Sequence, residues 1–243
     1  MIRALPLLYL APALALSALT AGAQGFEGLE PLQQGAAGLG QNAVLIVLGL
    51  TAISLAPGIA IMMTCFPFIV TVLSILRQSI GLPQSPPNML IVSLAIFLTW
   101  FIMDPVLREA WQVAGQPLSE GRISLTEAFT LGTEPFRGFM LARTDPDTLA
   151  ALAEVAPAGI GPPERLSVLV PAFMLSEITR AFEIGFLISL PFLIIDLVVS
   201  AVLMSMGMMM VPPVMVALPF NLAFFVVVDG WTLIAGALVR SYQ

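Results

Sequence analysis

Long uncharged stretches flank one densely charged block in this chain. No charged residue falls between Pro31 and Leu76, nor between Gln78 and Met103. The block from Asp104 to Glu183 then holds 17 of the 24 charged residues. Beyond it the apolar pattern resumes, as Ile184–Ile195 running past Asp196 and Leu197–Val228 running past Asp229. A helix that crosses the hydrocarbon needs about 20 mostly apolar residues. The pattern predicts four such spans, at 43–63, 88–107, 184–206 and 214–238. The stretch 43–76 reads equally as one tilted span or as a helical hairpin broken at Pro57-Gly58, with Pro67 as a second interruption. Gly81-Leu82-Pro83-Gln84-Ser85-Pro86-Pro87 stacks helix breakers and reads as a turn.

The charged block reads as helical too. Leu149, Leu152, Ala153 and Ala156 recur at 3–4 spacing, and Ser124-Leu125-Thr126-Glu127 has the form of a capping box. The expected fold is therefore all-α: membrane-associated helical hairpins around a helical periplasmic insert. Five segments follow: 1–23, 24–42 (mature N-terminal segment), 43–107 (first apolar region), 108–180 (polar insert) and 181–243 (second apolar region). Residues 1–23 read as a secretory signal, with Arg3 ahead of an apolar core and Ala21-Gly22-Ala23 as the recognition site. Cleavage is expected between Ala23 and Gln24. That places the mature N-terminus and the insert outside the bacterial inner membrane and Arg77 inside. The insert's arginines do not oppose this, because long translocated segments largely escape the positive-inside rule.

Composition narrows the chemistry. The chain of 243 residues is 58% hydrophobic and 10% charged, against roughly 45–50% and about 25% in soluble domains. All nine basic residues are arginine, and there is no histidine. Ser-His-Asp and Cys-His catalysis, HExxH zinc sites, the Walker lysine and Schiff-base chemistry are thereby excluded. The single cysteine, Cys65, has no partner for an internal disulfide and reads as a small buried hydrophobe. A net charge of −6 argues against nucleic-acid binding. No cofactor or metal is expected.

Three features remain. Asp196 and Asp229 stand inside apolar runs, where a central carboxylate costs on the order of 2.5–3.5 kcal/mol and faces a cavity or a partner. They read either as a proton-coupled transporter dyad or as helix cross-link and helix break. An intramembrane aspartyl protease lacks its GxGD, since the chain reads Val228-Asp229-Gly230-Trp231. Met204-Ser205-Met206-Gly207-Met208-Met209-Met210-Val211-Pro212-Pro213 is bracketed by a glycine and a proline pair, so a helix break is expected. It reads as a greasy turn, or as a deformable collar where several copies meet, since methionine repacks around changing shapes. Glu177 and Arg180 lie at i,i+3, a spacing worth ~0.2–0.5 kcal/mol on a solvated face but much more if packed.

Several short motifs carry a resemblance. Leu82-Pro83-Gln84-Ser85-Pro86-Pro87-Asn88, Pro135-Phe136-Arg137-Gly138-Phe139-Met140-Leu141, Pro191-Phe192-Leu193-Ile194-Ile195-Asp196, Met206–Pro213, Leu218-Pro219-Phe220 and Val228-Asp229-Gly230-Trp231 follow one another collinearly. From about residue 45 onward the chain resembles the FliP family of type III secretion export-gate proteins, on its flagellar branch. The resemblance implies assembly of about five copies with FliQ and FliR into a helical hetero-oligomeric pore, heterologous contacts being those that build helices. It implies a place inside the basal-body ring, among other export-apparatus proteins and membrane lipid, and passage of unfolded rod, hook and filament subunits. It makes Met208, Met209 and Met210 a gasket at the pore constriction, and Glu177, Arg180 and Asn221 candidates for subunit contacts. Two departures remove positive charge: Asn221 stands where the family often has lysine, and Phe68 where many members have arginine. The other reading is a small-solute or proton-coupled transporter using Asp196 and Asp229. Neither reading is an enzyme.

Overall fold

The computed structural model describes residues 61–82, 85–157, 165–208 and 210–242, with scattered positions between 47 and 59. The signal segment with Ala23 and Gln24, the segment 24–42, most of the expected span 43–63, and Met209 lie outside the described residues. The chain divides into Met1–Pro57 and Gly58–Gln243, and the architecture below is that of the second unit.

Every regular element in this unit's described residues is helical. Helix α1 (Phe66–Ser79) has Pro67 in its first turn. The proline therefore opens this helix, a position where its missing N–H would have had no partner anyway. The expected turn follows, with Gly81 in the left-handed region at φ 88°. Arg77 ties the turn together, donating to the Pro86 carbonyl at 3.4 Å and to the Asn88 side chain.

Helix α2 (Asn88–Ala110) continues through a π-turn at Trp111–Gly115 into the short α3 (Gln116–Ser119). Gly115 allows the π-turn: a Cβ there would lie 2.3 Å from the Trp111 ring. Helix α4 (Leu125–Arg143) opens on the expected capping box, with both halves made by Ser124 and Glu127. The backbone and hydroxyl hydrogen bonds from Ser124 hold the Glu127 carboxyl below its usual pKa. Helix α5 (Pro146–Val155) is capped by Asp145, which accepts from the Thr148 hydroxyl and backbone N–H, and these bonds lower its pKa as well.

Helix α6 (Leu166–Ser205) runs 40 residues without a break. At ~1.5 Å per residue it is about 60 Å long, roughly twice the ~30 Å hydrocarbon thickness. The boundary drawn at 180/181 from charge falls inside it, because a change from polar to apolar side chains does not interrupt a backbone ladder. Helices α7 (Pro213–Val227) and α8 (Gly230–Arg240) complete the unit, bent by 62° at their junction. Asn88–Ser119 and Leu166–Ser205 are each long and apolar enough to cross a membrane, and the bent α7–α8 pair makes a third candidate. The expected span 214–238 is thus two helices, broken at Val228-Asp229.

The core forms where α1 lies along α6 with α2 beside it, burying Phe68, Ile69, Val72, Leu73, Leu76 and Ala181. Small residues on α6 set the approach. A Cβ on Gly185 would come within 2.5 Å of Ile75 Cδ1. One turn on, the Ser189 and Ser79 hydroxyls meet at 2.7 Å. A second cluster of Met63, Met140, Leu169 and Phe173 joins α4 to the first half of α6. Cys65 is fully buried.

The outer faces are the opposite of a soluble protein's. Only 11% of the apolar window of α6 and 17% of that of α2 is buried within the chain. Trp100, Phe101, Phe186, Leu187, Leu197 and Val227 are all exposed. Apolar surface on this scale marks a membrane-facing or protein-interaction face.

Candidate functional site

Two constellations stand out, one charged and one apolar. The charged one centres on Glu177, on the first half of α6, whose side chain has no exposed surface at all. Its Oε1 accepts from Arg143 Nε and from Arg180 Nη1, each at 3.2 Å. Its Oε2 accepts from the Tyr242 hydroxyl. Arg143, from the last turn of α4, also donates to the Ser241 carbonyl at 2.7 Å and lies 4.0 Å from the centre of the Tyr242 ring. The tyrosine is wedged between Phe139, stacked at 6.0 Å, and Phe68, edge-on at 5.5 Å. Burial, and next the Glu177 charge, push the Tyr242 pKa up, so the hydroxyl stays a neutral donor. One carboxylate thus fastens the insert, the long helix and the end of α8 together. Nearby, Ser176 accepts from the Asp145 N–H at 3.0 Å, seating α5 on the same helix.

Phe68 stands beside this arrangement. Phe68 is fully buried and packs its ring against Tyr242, while Arg143 and Arg180 supply the positive charge that Glu177 requires. The sequence pointed to Glu177 and Arg180 but missed Arg143 and Tyr242. They lie 34 residues before and 65 residues after Glu177, beyond any helical spacing.

Asn221 is also buried, and it turns to a different acid. Its Nδ2 donates to Asp196 Oδ1 at 3.0 Å, linking α7 to α6. Its Oδ1 is buried with no donor among the described residues. The two residues were singled out separately, and the pairing was missed because it joins different helices. Asp229 is exposed at the α7–α8 break, in the left-handed conformation with φ 51° and ψ 52°. Aspartate tolerates that region better than most side chains. Gly230 follows because a Cβ there would lie 2.1 Å from the Phe225 ring.

The apolar constellation is the methionine loop. Helix α6 ends in a Schellman motif: Gly207 N–H donates to the Met204 carbonyl and Met208 N–H to the Leu203 carbonyl, both at 3.0 Å. Gly207 takes φ 74°, the left-handed turn this motif needs. At the far side Pro212 caps α7 and Pro213 opens it. Between these two stops the methionines face outward, Met206, Met208 and Met210 being 67%, 42% and 97% exposed. Behind the loop, α6 and α7 enclose an apolar groove of about 650 Å³ lined by Ile194, Val198, Val202, Met206, Met208 and Phe220. The loop's ends are fixed and its side chains are soft, so it can change shape without unwinding a helix. Among the described residues no group of three or more His, Cys, Asp or Glu is placed to hold a metal.

The FliP family model matches residues 49–238. The chain is similar to the flagellar biosynthetic protein FliP of Caulobacter vibrioides, 50% identical over 210 residues, which cover 85% of this chain and 79% of that one. It is similar to the protein of the same name from Rhizobium meliloti, 48% identical over 79% of this chain and 81% of the other. The likeness reaches Bacillus subtilis, 48% identical over 83% of this chain and 92% of its FliP.

Proposed function

The chain belongs to the FliP family of flagellar proteins, and from that premise we propose that it is the pore-forming subunit of the flagellar type III export gate. Several copies, about five, join FliQ and FliR in a helical assembly built from heterologous contacts. The gate sits in the bacterial inner membrane within the basal body, projects toward the periplasm and passes unfolded rod, hook and filament subunits.

The methionine loop carries this reading. It presents exposed thioether side chains between two fixed helix ends, next to helices whose apolar faces find no cover within the chain. A gate that admits unfolded chains must seal around side chains of many sizes and close when empty. Flexible, unbranched methionines suit both tasks. The absence of lysine and histidine fits a conduit that contacts its cargo without reacting with it. The transporter reading finds less support, because Asp196 is held by the Asn221 amide and Asp229 lies exposed at a helix break.

Replacing Met208, Met209 and Met210 together with alanine tests the proposal. The complex is expected to assemble while the closed gate leaks small solutes, measured as dye or ion flux in cells or proteoliposomes. A variant that stays tight and exports normally would show that the loop is not the seal.

A further inference from the structure

A second groove lies between α2 and α8. It measures about 710 Å³ and is lined by Leu94, Leu98, Phe101, Trp231 and Val239, with Arg240 as its one charged residue and no acid on its walls. Helix α8 turns Ile234 and Leu238 into the core and so presents Trp231 and Val239 to the groove. Arg240 is exposed and makes no hydrogen bond or ion pair among the described residues. The matching surface is on the outer face of α6. This helix buries Glu177, Ala181, Gly185 and Phe192 along one stripe, and the face opposite that stripe points away from the core. There Phe182, Phe186 and Leu187 stand exposed around Glu183, which is itself exposed and has no hydrogen bond or ion pair among the described residues. Helix α1 packs on both α6 and α2, which share no extended contact of their own. The outer face of α6 and the α2–α8 groove therefore look away from each other. Arg240 and Glu183 both stand within two helical turns of the Glu177–Tyr242 contact, so copies set side by side hold the two charges at similar heights.

We propose that the groove receives the outer face of α6 from a second copy of this chain, with that copy's Glu183 paired to Arg240. The inference rests on the multi-copy assembly read above and names the contact that repeats in it. A contact between two different faces of one molecule is heterologous and propagates from copy to copy. Each face supplies what the other lacks: one arginine in an apolar slot, and one glutamate on an apolar ridge. Such a charge match selects the partner and fixes the register of docking. The apolar window of α6 is 11% buried within its own chain, so this ridge is free to be covered by a neighbour.

Two differently tagged forms of the full chain, both with Cys65→Ala, one with Glu183→Cys and the other with Arg240→Cys, test this when expressed together. Oxidation of the purified complex is expected to give a disulfide-linked pair carrying both tags. Charge exchange gives a second reading. Arg240→Glu sets two carboxylates against each other and should lower the yield of assembled complex about five-fold, the upper end for an exposed ion pair. Adding Glu183→Arg should restore it. Both side chains are exposed and unpaired, so neither exchange is expected to move the melting temperature of the chain itself. An assembled complex without the two-tag adduct overturns the pairing alone and leaves the export-gate reading standing. So does an adduct of the Arg240→Cys form with a different protein, or a double exchange that assembles no better than Arg240→Glu. A wild-type chain that purifies only as a single copy overturns both.

Discussion

Glu177→Ala is expected to destabilise the subunit by about 3–5 kcal/mol, the usual consequence of removing one partner from a buried ion pair. The geometry places the effect in the fold of the single chain before any assembly step. Arg143, 16% exposed at its side chain, is left with a buried charge and no carboxylate, and the Tyr242 hydroxyl loses its acceptor. Arg180 is 37% exposed and recovers part of its loss from water, which moves the expected value toward ~3 kcal/mol. Since a domain's whole stability is only about 5–15 kcal/mol, such a variant accumulates poorly and is degraded. Glu177→Gln should be milder in packing but still charge-deficient, and Tyr242→Phe should lose about 1.5–3 kcal/mol, the worth of one hydrogen bond to a buried charge. Thermal unfolding of the detergent-solubilised chain gives the ranking. A Glu177→Ala variant that melts with the wild type would mean that the node holds nothing together.

Gly185→Leu is the second large effect. A Cβ at this position already lies 2.5 Å from Ile75 Cδ1, 3.0 Å from Cγ2 and 3.2 Å from Cβ. Alanine is partly accommodated by turning the end of Ile75, so overpacking of ~1–3 kcal/mol is offset by a gain of up to ~1 kcal/mol in helix propensity. Leucine cannot be accommodated that way. It must push α1 away from α6 and with it break the Ser79–Ser189 hydroxyl contact, which lies one turn along. The expected outcome is loss of stable protein with Gly185→Leu and a modest drop in melting temperature with Gly185→Ala. Equal melting temperatures for wild type and Gly185→Leu would show that the two helices do not approach as described.

These two sites show where sequence reasoning reached and where it stopped. Local punctuation was readable: the Ser124–Glu127 cap, the end of α1 at Gly81 and the helix break between Gly207 and Pro212 all stand where residue chemistry placed them. Such features depend on a few consecutive residues and on dihedral preferences that glycine, proline and serine carry with them. The junction at 180/181 marks a change in side-chain polarity inside one continuous helix. Pro67 looked like an interruption and is a beginning, since a proline's effect depends on which turn of the helix it occupies. The Arg143–Glu177–Tyr242 node and the Asn221–Asp196 link were out of reach because each joins residues far apart in the chain. Gly185 did offer a hint, as an isolated glycine within an otherwise regular helix commonly marks a close approach.

The node also changes the meaning of the two departures from the family pattern. Phe68 and Asn221 read as charges lost from subunit contacts. In the folded chain Phe68 is an aromatic wall for Tyr242, and Asn221 is the donor that holds Asp196 within the bundle. The positive charge beside Glu177 comes from Arg143, at the end of α4, and from Arg180.

The central claim is that exported chains pass the methionine loop. Because Cys65 is buried and is the chain's one cysteine, a single new thiol at position 208 can be read cleanly once Cys65 is replaced by alanine. With an export substrate stalled in transit and carrying its own single cysteine, Met208→Cys is expected to form a disulfide with it. A thiol placed at Leu125, on the exposed first turn of α4, is expected to form none. No adduct at position 208 in an assembled, substrate-loaded complex would contradict the account.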